Sequence, residues 1–240
     1  MIAKLFVVTL LILVITACIP ESAPTEEPSN MDEQPAATQS SMDLTPAQRA
    51  AITAFSGNLG LPAEKVKLIS TEAVDWPDSC LGVREDGLDC AQATTPGFRI
   101  LLHANGRDVE YHSNEDGTDI RPATVLLTWK REGGIAGFCD FMTIYLSGEV
   151  HGNSCKSGQY MEQRLMDVLS KEEIAKLDKW VKSYGSVSVD ASDPKGVSDR
   201  MIVTLTFTGL GGQETVSSSF QRDLRNFAQE LYPRLDSNLR

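Results

Sequence analysis

Residues 97–113 read GFRILLHANGRDVEYHS, two runs of alternating character on either side of Asn105-Gly106. A two-residue hairpin loop of type I′ needs positive φ at both central positions, and Asn-Gly supplies it at little steric cost. Such a turn fixes the register. It sets Leu102 opposite Val109 and Ile100 opposite Tyr111 on one face. On the other face it sets His103 opposite Asp108, Leu101 opposite Glu110 and Arg99 opposite His112. The first face is apolar and predicts a core; the second is mostly polar and predicts a surface.

Upstream of the hairpin, Thr45-Pro46-Ala47-Gln48 reads as a helix start. Thr45 caps, Pro46 occupies the first helical position and Gln48 completes a capping box. Ile52, Phe55 and Leu59 then share a face, and Gly57 or Gly60 ends the helix. A strand follows at Val66 to Trp76. Residues 45–122 therefore predict one helix on a three-stranded antiparallel sheet, an arrangement similar to cystatin-like and PepSY-like folds.

A second unit is expected over residues 123–240. It opens with a strand from Val125 to Lys130 and passes through Gly133-Gly134-Ile135-Ala136-Gly137. A strand from Phe138 to Leu146 and a turn at Ser147-Gly148-Glu149 come next. Ser170-Lys171-Glu172-Glu173 is a second capping box, starting a helix whose face is Ile174, Leu177, Val181 and Tyr184 and which ends at Gly185. After a polar loop, Asp190 to Asp199, the alternation of Met201, Val203, Leu205 and Phe207 marks a strand. Phe220, Leu224, Phe227 and Leu231 form the stripe of a last helix, which Pro233 is expected to stop. The fold class is α+β: two small domains, each an antiparallel sheet packed with one or two helices.

The chain begins MIAKLFVVTLLILVITAC. Lys4, an apolar run and a small-residue approach to Cys18 resemble a bacterial lipoprotein signal. The apolar run is too short to span a bilayer, which takes about 20 residues, so a removed signal at 1–17 is the physical reading. The resemblance implies that Cys18 is lipidated, with palmitate among its acyl chains. It also implies a protein held at the bacterial cell envelope and facing its extracytoplasmic side. Residues 19–44 carry six acidic residues, no Lys or Arg, and four prolines. Such a composition cannot offset its ordering entropy, and predicts a disordered acidic tether about 30 Å or more in reach. The net charge of −11 disfavours nucleic acid as a partner.

With Cys18 given to lipid, Cys80, Cys90, Cys139 and Cys155 remain, an even number for an oxidising compartment. Three connectivities exist, of which the local one, Cys80 to Cys90 and Cys139 to Cys155, is favoured. Metal binding by these cysteines lacks a paired CxxC spacing.

Two further resemblances rest on quoted residues. Asp75-Trp76-Pro77-Asp78-Ser79-Cys80-Leu81-Gly82, with Cys90, Pro96-Gly97-Phe98 and Glu110-Tyr111-His112, resembles a module of uncharacterised exported bacterial proteins over residues 66–121, and implies no activity. Over residues 124–235, Trp129-Lys130-Arg131-Glu132-Gly133-Gly134-Ile135-Ala136-Gly137 is similar to the emfourin group of small inhibitors of thermolysin-type metallopeptidases. The helix after Leu169-Ser170-Lys171-Glu172-Glu173 and the closing strand and helix extend that likeness. Emfourins lack the cysteine pair Cys139 and Cys155. The resemblance implies an inhibitor whose contact surface is Gly133 to Gly137 and the flanking strands.

Weighed residue by residue, Gly133, Gly134, Ile135, Ala136 and Gly137 form a candidate partner-binding loop, against a plain hairpin connection. Trp76 is a candidate aromatic anchor, against a Trp that shields the disulfide-closed loop. His103 and His112 lie about 13 Å apart along the ladder and cannot share an ion; with His151 they are expected at the surface. The acidic turns Glu85 to Asp89 and Asn114 to Asp119 do not fit the calcium loop of an EF-hand. There is no G-x-S-x-G, no H-E-x-x-H and no Walker A. The expectation is a non-enzymatic protein-binding lipoprotein without metal or cofactor, an inhibitor of an extracytoplasmic metallopeptidase. The alternative is an envelope adaptor or structural lipoprotein holding a partner protein or cell-wall polymer through Trp76 and the polar hairpin face, and a hydrolase is the third class.

Overall fold

The computed structural model describes residues 44–154, 165–212 and 216–237. These fall in one compact unit, which is α+β: a four-stranded and a six-stranded antiparallel sheet with three helices. Cys18 and the signal and tether expected around it, together with Cys155, lie outside the described residues.

Helix α1, Pro46–Leu59, is capped as its sequence dictates. Gln48 N–H donates to Thr45 Oγ1 at 3.2 Å, and Thr45 N–H donates to Gln48 Oε1 at 2.8 Å. Of the two candidate stops it is Gly60 that closes the helix, at φ 60°, while Gly57 lies inside it. Strands β1 (Lys67–Trp76), β2 (Thr95–Ala104) and β3 (Arg107–Asn114) follow, with β4 (Ile120–Pro122), and lie side by side in chain order. Asn105 and Gly106 take φ of 51° and 71°, so the tight turn forms and the five cross-strand pairs named above are all present. Ile100, Leu102, Val109 and Tyr111 are fully buried against Ala47, Ala51 and Phe55. The sheet has four strands where three were expected. The Asn114 to Asp119 turn brings the chain back far enough to pair Ile120 with Ser113, and β4 is too short to show any alternation.

The second sheet comprises β5 (Val125–Gly133), β6 (Phe138–Tyr145), β7 (Glu149–Ser154), β8 (Leu165–Val168), β9 (Gly185–Asp190) and β10 (Met201–Leu210). Their spatial order is β8-β7-β6-β5-β10-β9. Helices α2 (Lys171–Ser183) and α3 (Ser218–Ser237) contribute Leu177, Trp180, Val181, Phe220, Leu224, Phe227 and Leu231 to its core. The sheet contributes Leu127, Trp129, Met142, Ile144, Val203, Leu205 and Phe207. Pro233 does not stop α3. It sits inside the helix, whose last turn is held by buried Leu235 and by Arg234, paired to Asp167 at 2.5 Å and to Glu173 at 2.9 Å. Burial and ion pairing there outweigh the backbone hydrogen bond that proline forgoes.

The two sheets meet through the loop that the Cys80–Cys90 disulfide closes. This loop lies on the outer face of β6 and β7. Gly87 packs against Phe141 and accepts a hydrogen bond from Asn153 through its carbonyl, while Glu85 reaches Tyr145 and His151. The second sheet is thus covered on one face by helices and, over part of the other, by the first sheet's loop.

Candidate functional site

The Gly133 to Gly137 segment is the tip of the β5–β6 hairpin, with Gly133 paired to Phe138. Gly133, Gly134 and Gly137 take φ of 82°, 69° and 60°, conformations that favour glycine. A side chain at Gly133 would collide with the Arg200 carbonyl, whereas Gly137 faces open space. Two hydrogen bonds tie the tip. Gly134 N–H donates to the Arg200 carbonyl at 3.2 Å, and Gly137 N–H donates to the Gly134 carbonyl at 3.0 Å. Below it Arg131 pairs with Asp140 at 2.5 Å and lies 4.0 Å from the centre of the Phe138 ring. Asp140 in turn accepts from the Tyr232 hydroxyl at 3.1 Å, and burial together with that carboxylate pushes the phenol well above its ordinary pKa. On this braced base Ile135 is 92% exposed, with Ala136 and Gly137 exposed beside it. The loop that precedes β10, tied to the tip at Arg200, carries Val197, which is also exposed.

Trp76 is corrected as a partner-facing anchor. It is only 3% exposed, its indole N–H donates to the Ser113 carbonyl at 2.9 Å, and its ring stacks on His112 at 4.0 Å between centroids. The indole is used inside the fold, beside the disulfide loop, with Gly82 against its ring. The expectation of surface histidines is corrected as well for two of the three. His112 is buried under Trp76 and lies 2.7 Å from both the Leu81 carbonyl and Glu110. His151 is buried on β7, and only His103, paired with Asp108, lies at the rim. The hairpin register was right, but the face carrying His112 is covered by a loop that register cannot see.

Sequence reading missed a polar cluster at the seam between the sheets. Glu149 Oε1 accepts from the Tyr111 hydroxyl at 2.7 Å and from Asn58 Nδ2 at 2.7 Å, and Glu149 Oε2 lies 3.3 Å from His151 Nε2. On its other side His151 Nδ1 lies 2.8 Å from Glu85 Oε1, which also accepts from the Tyr145 hydroxyl at 2.6 Å. Burial opposes charge on Glu149, but hydrogen bonds from His151, Tyr111 and Asn58, with the nearby imidazole, outweigh it and hold the carboxyl below its ordinary pKa. Burial first, and then the Glu149 charge, push the Tyr111 hydroxyl far above its ordinary value. Tyr111 therefore stays a proton donor. Arg107 adds an ion pair across the same seam, 2.5 Å from Asp178.

The remaining candidates divide cleanly. Cys80 and Cys90 are joined. Cys139 is disulfide-bonded, and its expected partner Cys155 lies outside the described residues. Asp78 lies close to both Cys80 and Cys90, but sulfurs joined to each other offer no thiolate to a metal. Asp78 instead receives the Cys80 and Gly82 N–H groups. In the acidic turns, Glu85 is committed to the seam, and Asp116 accepts from Thr118 N–H and Oγ1, which hold its carboxyl below its ordinary pKa. Among the described residues no helix is long and apolar enough to cross a membrane.

Residues 48–122, the span of α1 and the four-stranded sheet, match the family described as a domain of unknown function, DUF8738. No curated protein and no solved structure matches the chain.

Proposed function

We propose that the chain is a lipid-anchored extracytoplasmic protein-binding module, without enzymatic activity, that inhibits a metallopeptidase through the β5–β6 tip. The observation that carries this reading is the braced, glycine-rich hairpin end that presents Ile135 and Ala136 to solvent. Binding surfaces concentrate on loops held by a rigid scaffold, and a loop already fixed in place loses little entropy when a partner closes on it. The adaptor alternative rests on Trp76 and on the polar face of the hairpin, and of these the Trp76 ring is buried.

The test is inhibition of a panel of thermolysin-type peptidases by soluble residues 44–240, with the disulfides verified by mass. Stoichiometric inhibition of at least one member is the expected result, and inhibition of none removes the reading. Anchoring is tested separately on the full chain in a bacterial host. Palmitate labelling should be lost on Cys18→Ala, and labelling that persists would rule out Cys18 as the anchor.

A further inference from the structure

We infer that Ile135 is a single-residue plug, and that the partner surface it fits is the narrow apolar pocket with which a metallopeptidase holds one side chain of its substrate. This deepens the inhibitor reading above and rests on it. Ile135 is the most exposed large apolar side chain among the described residues. Its setting distinguishes a plug from an ordinary sticky patch. A protein–protein contact area carries a cluster of apolar and aromatic side chains inside a polar rim. Along the hairpin its neighbours Gly133, Gly134, Ala136 and Gly137 carry at most one methyl group, and the Met201 and Phe138 side chains that lie against the base of the tip at Gly134 are half-buried, so Ile135 is the large side chain that projects from the hairpin end. A flat partner would gain little from so small an area, whereas a pocket can enclose the whole side chain while its rim closes onto backbone that no Cβ shields.

The support beneath the tip fits the same role. The Gly134 and Gly137 N–H groups are spent on holding the loop, and Arg131 is fixed between Asp140 and the Phe138 ring. Ile135 is therefore delivered from a backbone that does not have to be ordered on binding. On the strands that carry the tip, Lys130 pairs with Glu132 at 2.8 Å and Arg131 with Asp140.

The experiment is a side-chain series at position 135, in soluble residues 44–240, assayed for Ki against the peptidase that the wild-type chain inhibits. Ile135→Val should weaken inhibition by about tenfold, the low end of the roughly 10- to 200-fold that one methylene in an apolar pocket is worth. Ile135→Ala should weaken inhibition by roughly 100-fold and Ile135→Asp by more, because a carboxylate resists burial. The side chain packs against little, so the melting temperatures of all three variants should match wild type and exclude misfolding as the cause. If the wild-type chain inhibits and the three variants inhibit equally well, the plug is refuted and the inhibitor reading stands. If the wild-type chain inhibits no member of the panel, both fall together.

Discussion

Replacing Tyr111 by Phe removes one oxygen from the seam and leaves the ring in place. That oxygen donates to Glu149 at 2.7 Å and accepts from Asn58 at 3.3 Å, in a position with no access to water. A hydrogen bond to a charged group contributes about 1.5–3 kcal/mol, and Glu149 keeps its contacts to Asn58 and His151, so the loss should be about 2 kcal/mol. For a chain of this size that lowers the melting temperature by about 4–8 °C. The effect should also depend on pH. Glu149 has a folded pKa below its ordinary value of 4.5. Its contribution is therefore fully present above that value and is lost as the pH falls through the folded pKa. Removing the Tyr111 hydroxyl lets the folded pKa drift back up, so the gap between wild type and variant should be widest near pH 7 and should narrow below about pH 4.5. Urea unfolding at both pH values, repeated with Glu149→Gln and with the double variant, measures the gap and the coupling between the two side chains. Equal stability at pH 7, or a gap that does not change with pH, would refute the claim that this hydroxyl holds a charged carboxylate.

Five other substitutions, in three experiments, test the same geometry. Joint Cys80→Ser and Cys90→Ser should cost about 3 kcal/mol by the loop-closure relation and free the loop from β6 and β7, which limited trypsin digestion would register as a new cut at exposed Arg84. Gly137→Ala, in open space at φ 60°, should cost about 1–2 kcal/mol, whereas Gly133→Ala meets the Arg200 carbonyl and should cost clearly more; thermal melts of the pair give the order. Thr45→Ala removes an N-cap and should lower stability by about 1 kcal/mol without touching the tip, so any inhibition should be unchanged.

Features written in short-range chemistry were legible in the sequence. Asn105-Gly106 fixes a register because two positive φ values leave one tight turn, and both capping boxes form because their partners are three residues apart. What escaped depends on the long-range placement of a loop. Glu149, His151 and Asn153 alternate with Val150 and Gly152 along β7, a pattern that ordinarily means a solvated face. They become interior because the loop of residues 77–94 closes over His151 and Asn153, while Asn58 of α1 and Tyr111 of β3 close over Glu149. His112 escapes for the same reason, since a residue on the outer face of a hairpin looks exposed until something lies on it, whereas Trp76 shields the disulfide-closed loop as one of its two readings has it. The candidate tip was legible as a glycine run, but the exposure of Ile135 and the brace through Arg200 required the neighbouring strand.

The seam also bears on whether the six-stranded half can be studied alone. Residues 123–240 produced by themselves would uncover Phe141 and Tyr145 and remove Glu85 from His151. Two such rings bury about 150–250 Å² each, and if the loop covers roughly half of that, the exposed apolar area corresponds to about 5 kcal/mol. That is comparable to the whole stability of many domains. The isolated half should therefore melt well below residues 44–240 and bind a hydrophobic dye, and adding oxidised residues 44–122 should restore it, because the disulfide holds the covering loop in shape. If residues 123–240 melt at the same temperature with and without the other half, the covering loop contributes nothing to the second sheet. The buried cluster of Glu85, Glu149 and His151 would then have to be explained without any role in joining the two sheets.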